Sequence, residues 1–410
     1  MQALSKDSAV NELVEGSVIT PKGFMADGIH AGLRYQKKDL GVILSEVPAS
    51  CAAVYTVNQF QAAPLKVTQD SIFKEEKLQA IIVNSACANA CTGERGLSDA
   101  FEMRKWTAEK FNLSEHYVGV ASTGVIGEFL PMEKIYVGIQ SLDPKANKQQ
   151  IEAFQTSILT TDTVMKNCCY AAEIDGQIVN MGGAAKGSGM INPNMATMLA
   201  FITTDAAIES EYLQVALKEV TETTFNQITV DGDTSTNDTV VVLANGKSGN
   251  QPLSPHHPQW EIFIELLTKS CESLAKQIAK DGEGATKLIE VEVSGAMNNL
   301  DARMAAKQIV GSNLVKTAIH GEDANWGRII SAIGQSNAII NPSSVDIAIG
   351  PIPMLKKSEP QLFSEEEASQ YLKSKMIHIF VDLHLGDGKA KAWGCDLSYD
   401  YVKINANYRS

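Results

Sequence analysis

Residues 182–199 read Gly182-Gly-Ala-Ala-Lys186-Gly-Ser-Gly-Met-Ile-Asn-Pro-Asn-Met-Ala196-Thr197-Met-Leu199. Four glycines and a proline favour tight turns and close backbone approaches. A strand-like apolar run, Thr197 to Ile202, follows at once. A hydroxyl at that junction is screened from bulk water and held in place, which suits a nucleophile. The plainer reading of Thr197 is a β-branched residue that favours strands, and of the glycines an ordinary loop. Two other chemistries are weaker. The phosphate-cradling pattern GxxxxGK[ST] is absent, because Lys186 precedes Gly187-Ser188. Ser188 between two glycines does not make the GxSxG nucleophile elbow.

Other candidates are ambiguous when taken alone. Thr123-Gly124 follows the apolar run Tyr117 to Ala121 and, taken alone, reads as a plain strand-to-turn junction. Lys186 reads as a solvated loop lysine or as a cation for a substrate carboxylate. Glu283, in Asp281-Gly-Glu-Gly284, reads as a surface acid or as a partner for a substrate ammonium. His256-His257 falls in a proline-containing loop and is expected to face solvent. His320-Gly-Glu322 lacks a second ligand group at suitable spacing, and His378 and His384 fall on the polar face of one strand, so no metal is expected.

The elements that would hold these residues are a mixture of strands and helices. Leu78 to Val83 and Tyr117 to Ala121 read as strands. Phe263, Leu267, Cys271, Leu274 and Ile278 have helical spacing, with Gly282 where a C-terminal cap would lie. Ile289, Val291 and Val293 alternate with Glu290 and Glu292, which predicts a strand with one wet face. Ile377 to Leu385 alternates too. Tyr399 to Ile404 is aromatic and β-branched, which predicts a docked strand near the C-terminus. The fold class is α/β with mixed or antiparallel strands, and no regular βαβ series supports a dinucleotide-binding domain.

Composition narrows the function. The chain has 410 residues, 44% of them hydrophobic, enough for a large core. A net charge of -13 argues against nucleic-acid binding. The seven cysteines include no CxxC, which suggests reduced thiols, with Cys168-Cys169 as core filler. The N-terminus lacks the apolar core of a signal peptide, and the longest apolar run is far short of the roughly 20 residues that span a bilayer. A cytoplasmic, membrane-free enzyme is expected.

The stretch from Lys186 to Leu199 resembles the cleavage-site signature of the ornithine acetyltransferase (ArgJ) family. Thr20-Pro-Lys-Gly-Phe24, Ala121-Ser-Thr-Gly-Val-Ile-Gly127, Thr160-Thr-Asp-Thr163, Asp231-Gly-Asp-Thr-Ser-Thr-Asn-Asp238, His320-Gly-Glu-Asp-Ala-Asn-Trp-Gly-Arg328 and the tail Asp400 to Ser410 resemble family blocks in the family's order. Two details depart from the pattern. The block Asn84-Ser-Ala-Cys-Ala-Asn-Ala-Cys-Thr-Gly93 lacks the usual Gly-Asn pair, and the tail ends in Ser410 rather than threonine.

The resemblance implies a two-lobed mixed α/β fold like the ArgJ/DmpA-like N-terminal-nucleophile enzymes. It implies self-cleavage between Ala196 and Thr197 into chains 1–196 and 197–410, which pair into a heterotetramer of two copies of each. Thr197 would be the nucleophile and Thr123 with Gly124 the oxyanion donors. Thr160, Lys186, Thr197, Glu283, Asn405 and Ser410 would line the amino-acid pocket. The implied reaction moves acetyl from N2-acetylornithine to glutamate through acetyl-Thr197. No cofactor is implied, and acetyl-CoA enters only as a co-substrate that some members use to acetylate glutamate. The rival readings are an N-terminal-nucleophile aminopeptidase or amidase, which passes the acyl group to water, and a metabolite-binding protein without chemistry.

Overall fold

A computed structural model describes residues 9–192 and 198–407. The chain divides into two compact units. The first takes in described residues 9–187, 198–221 and 234–274, and the second 188–192, 222–233 and 275–407.

The first unit is built on a nine-stranded mixed sheet. Along it run β1 (Val10–Glu12), β6 (Lys166–Ile174), β7 (Gln177–Lys186), β8 (Leu199–Thr204), β10 (Thr239–Ala244), β3 (Leu40–Tyr55), β4 (Lys77–Asn84) and β5 (Val118–Ser122), while β2 (Phe24–Ile29) also pairs with β3. Every residue of β8 and β10 is buried, and the two run parallel to each other. Such strands need apolar cover on both faces, which their runs Leu-Ala-Phe-Ile and Val-Val-Val-Leu reflect. Both strands follow the expected cleavage point, yet they lie between β7 and β3. Each expected product would therefore supply strands to this one sheet. The expected strands at Leu78 to Val83 and Tyr117 to Ala121 are β4 and β5.

Gly182 and Gly183, expected in a loop, lie inside β7. A side chain at Gly182 would collide with the Ser17 carbonyl, so glycine is required by close backbone packing rather than by a turn. The loop itself starts only at Gly187, whose φ is +154°.

The second unit has a seven-stranded sheet ordered β14 (Glu359–Pro360), β13 (Ile352–Lys356), β12 (Asp346–Ile349), β15 (Met376–Asp382), β11 (Leu288–Ala296), β16 (Gly388–Cys395) and β9 (Ile228–Thr229). Ile289, Val291 and Val293 of β11 and Ile377, Ile379 and Val381 of β15 join one core with helices Asn299–Gly311, Asn313–His320 and Trp326–Gln335. The other face of β11 is only partly wet, because Glu292 is half-exposed but Glu290 is not. Glu290 is buried, accepting a hydrogen bond from Trp393 Nε1 at 2.7 Å and pairing with Lys276 at 3.3 Å.

Helix Trp260–Lys280 buries Phe263, Leu267, Cys271, Leu274 and Ile278, as their spacing predicts. The left-handed residue beyond it is Gly284 (φ +70°), not Gly282. A side chain at Gly284 would press on the Tyr401 amide nitrogen, 2.6 Å away. The tail also differs from expectation, because Tyr399–Ala406 is a helix and not a strand. Ser398 caps it by accepting the Asp400 N–H at 3.2 Å, and Lys403 pairs with Asp400 one turn on. These local bonds outweigh the β-propensity of the segment.

Candidate active site

The end of β5 sets the first group of candidate residues. Asn84, the last residue of β4, ties this corner together. Its carbonyl accepts the Thr123 N–H at 3.0 Å, and its Oδ1 accepts the Ser122 hydroxyl at 2.5 Å. The Thr123 amide is therefore occupied. Gly124 has a φ of +134°, and a side chain there would collide with the Ala86 backbone. The Gly124 N–H makes no hydrogen bond to any described residue. Among the described residues the Thr123 hydroxyl and the Gly124 N–H remain as donors at this corner.

Lys186, at the end of β7, is buried rather than solvated. Its ammonium donates to Thr123 Oγ1 at 3.3 Å, which leaves the Thr123 hydroxyl proton to point elsewhere. Asp162 organises the surroundings. Its Oδ1 accepts Lys166 Nζ and the Gly187 N–H, both at 2.7 Å, and its Oδ2 accepts the Thr160 N–H at 2.9 Å. Burial pushes the Asp162 carboxyl up, but Lys186, Lys166 and the Thr160 N–H together hold it well below the usual carboxylate range. Thr160 is half-buried, and its carbonyl accepts Arg34 at 3.0 Å.

Asp162 was not singled out from sequence, although it sits in the Thr160 to Thr163 block. Both side chains of the Asp162–Lys166 pair are fully buried. Removing one partner of such a pair leaves an uncompensated charge and costs about 3–5 kcal/mol. Asp162→Ala is therefore expected to lower the thermal unfolding midpoint by several degrees. Because the folded-state pKa is depressed, the stabilisation is full above the unfolded carboxylate value of about 3.9 and fades as pH falls below it. An unchanged midpoint at pH 7 would show that the pair contributes nothing.

A second group lies in the second unit. Glu283 is only 6% exposed, not a surface acid. Its N–H donates to the Ser188 carbonyl at 3.0 Å, and its Oε2 accepts Asn405 Nδ2 at 2.7 Å. Gly189 lies against the Glu283 carboxyl, where any side chain would clash. Asp231 accepts the Met190 and Ile191 N–H groups at 2.6 and 2.9 Å, and the Ile191 carbonyl accepts the Val230 N–H at 2.7 Å. Residues 188–192, just upstream of the expected cut, are thus pinned within this unit, whereas Met198 onward is pinned in the first by β8. Asp231 too was missed from sequence.

Thr123, Gly124, Lys186 and Thr160 gather in the first unit, and Glu283 with Asn405 in the second. Ala196, Thr197 and Ser410 lie outside the described residues. The remaining histidines are mostly engaged. His320 Nδ1 meets Asp396 Oδ2 at 2.8 Å, and His257, expected to face solvent, is largely covered and meets Asp175 at 3.1 Å. Cys168 and Cys169 are buried free thiols. Among the described residues no helix is long and apolar enough to cross a membrane.

A model of the ArgJ family matches residues 25–410. A protein of Geobacillus kaustophilus described as arginine biosynthesis bifunctional protein ArgJ is 67% identical over 410 residues, covering 100% of both chains. One of the same description from Geobacillus stearothermophilus is 65% identical, again over 100% of both. The crystal structure of the protein so described from Bacillus halodurans is similar with a TM-score of 0.50 and 63% identity, covering 51% of this chain and 98% of that one. The match runs through the blocks that hold Thr123, Lys186, Glu283 and Asn405, and this chain belongs to the ArgJ family.

Proposed function

We infer that this chain is an acetyltransferase of arginine biosynthesis that moves acetyl from N2-acetylornithine to glutamate, releasing ornithine and N-acetylglutamate. The observation that carries this reading is the corner after β5. There a buried lysine ammonium lies 3.3 Å from the Thr123 hydroxyl, and the adjacent Gly124 N–H is unpartnered among the described residues. Preorganised donors of this kind stabilise the oxyanion of acyl transfer.

In this reading the chain cuts itself between Ala196 and Thr197. The free α-amine of Thr197, with a reference pKa of about 7.7–8.0, then takes the proton of its own hydroxyl. The hydroxyl attacks the acetyl carbonyl, the Thr123 hydroxyl and Gly124 N–H hold the oxyanion, and ornithine leaves. Glutamate then receives the acetyl group by the reverse steps. Glu283, fixed by Asn405, faces the side-chain ammonium of ornithine, and Ser410 and Thr160 complete the amino-acid pocket. No cofactor takes part, and acetyl-CoA serves as an alternative acetyl donor. The enzyme works in the cytoplasm as a heterotetramer of two 1–196 and two 197–410 chains.

Because acetyl-Thr197 is a covalent intermediate, double-reciprocal plots at several glutamate concentrations are expected to be parallel. Intersecting lines would mean direct transfer in a ternary complex. Acetate release without acetyl-glutamate would make the protein an amidase instead.

The pocket reading makes a sharper demand. Glu283→Gln keeps the shape but removes the charge, and a charge-assisted hydrogen bond contributes about 1.5–3 kcal/mol. The variant is expected to lose roughly tenfold to 150-fold in kcat/KM for N-acetylornithine. A neutral acetylated amino acid should be much less affected. Equal losses for both would place Glu283 outside the side-chain pocket.

A further inference from the structure

The corner after β5 contains the peptide groups Ser122–Thr123, Thr123–Gly124 and Gly124–Val125. The Gly124 N–H belongs to the middle one. A peptide group is planar, so its N–H points where the plane points, and the planes on either side constrain it. The Gly124–Val125 plane is tied through its N–H, which the Ala86 carbonyl accepts at 2.9 Å. The Ser122–Thr123 plane is tied at both ends. Its N–H goes to the Asn84 carbonyl at 3.0 Å, and its carbonyl accepts Asn237 Nδ2 at 2.8 Å.

Asn237 reaches this corner from 115 residues away. Its amide nitrogen also donates to the Ala88 carbonyl at 2.6 Å. The Ala88 N–H in turn donates to the Val125 carbonyl at 2.9 Å, and the Ala86 backbone is what a side chain at Gly124 would strike. One side-chain amide therefore joins the end of β5 to the segment on which Gly124 rests.

Asn237 is itself held firmly. It is 4% exposed, and its Oδ1 accepts the Thr236 hydroxyl at 2.6 Å. Its own N–H donates to Ser235 Oγ at 3.2 Å, and its carbonyl accepts the Thr239 hydroxyl at 3.1 Å. Both Nδ2 protons are spent on backbone carbonyls, so the amide has no donor left for a substrate. Any effect on the chemistry must pass through the backbone that it grips.

We propose that Asn237 is a positioning residue for acetyl transfer. By holding the Ser122 and Ala88 carbonyls together, it aims the Gly124 N–H and the Thr123 hydroxyl at the oxygen that becomes the oxyanion. Such donors are effective because they are fixed before charge develops. Asn237 makes no hydrogen bond to Thr160, Lys186, Glu283 or Asn405, so binding of the amino acid does not depend on it.

The inference rests on the transfer reaction read above. A wild-type protein that transfers no acetyl refutes that reaction, and this inference falls with it. With transfer established, kcat and KM are measured per mole of cut chain for Asn237→Ala and for Asn237→Asp, which keeps the shape but has no N–H to donate. Displaced catalytic groups cost about 10²-fold, so kcat should fall by about that factor with KM within about threefold of wild type. The same changes are then made in Thr123→Val. There the further loss should be less than about tenfold, because one of the two donors being aimed is already gone. Independent structural damage would multiply in full. A wild-type kcat in either variant, full multiplication, or a rise in KM in place of the fall in kcat would overturn the proposal. So would a folded variant that stays uncut, which would place Asn237 in maturation, or loss of the fold in both variants, which would make its role structural.

Discussion

Thr197→Ala is expected to remain a single chain of 44.2 kDa and to transfer no detectable acetyl group. On the mechanism proposed above, one methyl-for-hydroxyethyl change removes the nucleophile from both reactions at once. In the first, no other side chain can form the small ring with the Ala196 carbonyl, so the chain stays whole. In the second, the residual oxyanion donors have nothing to stabilise. Losing the nucleophile of a covalent mechanism costs on the order of 10⁶ in kcat in a well-studied serine protease. Thr197→Ser keeps a hydroxyl and an amine and should still be cut, with transfer reduced but measurable. Intact-mass measurement of both variants separates the outcomes. A Thr197→Ala chain still cut after Ala196 would mean that another group attacks that bond.

Much of the fold could be read from local pattern, because local pattern is what forms it. The apolar runs of β4 and β5 and the helical spacing from Phe263 to Ile278 needed no distant partner. The misreadings share a different cause. Gly182 and Gly183 read as a loop because the reasons for them, the Ser17 backbone against Gly182 and the Leu274 side chain against Gly183, lie far away in the chain. Glu290 reads as wet because the indole that covers it is 103 residues away. The tail read as a strand because β-branched residues drew more weight than the Ser398 cap. At the site, sequence likeness pointed to Thr123, Lys186 and Glu283, but not to the groups that hold them. Asp162 receives the Gly187 N–H across 25 residues and Asn237 grips Ser122 across 115. Such partners become visible only when the chain is folded.

Thr123→Val should lower kcat for acetyl transfer by about 10²–10³, the usual cost of one oxyanion donor, with little change in KM. The change is nearly isosteric, so it isolates the hydroxyl. In the proposed mechanism that hydroxyl, and not the residue's backbone, would be the active group, because the Thr123 N–H is already spent on the Asn84 carbonyl at 3.0 Å. Lys186 strengthens it as a donor. An oxygen that accepts from an ammonium at 3.3 Å gives up more of its own proton's charge to the next acceptor. Thr123→Ser keeps the hydroxyl and should retain most of the rate. Val also leaves the buried Lys186 ammonium without that acceptor, but Asp162 and Asp238 still face it electrostatically, so the fold should hold. The donor acts only as charge develops on the carbonyl oxygen, hence the expected split between kcat and KM. If Thr123→Val raised KM and left kcat unchanged, the hydroxyl would be binding the ground-state substrate, and stabilising the oxyanion would fall to other donors such as the Gly124 N–H.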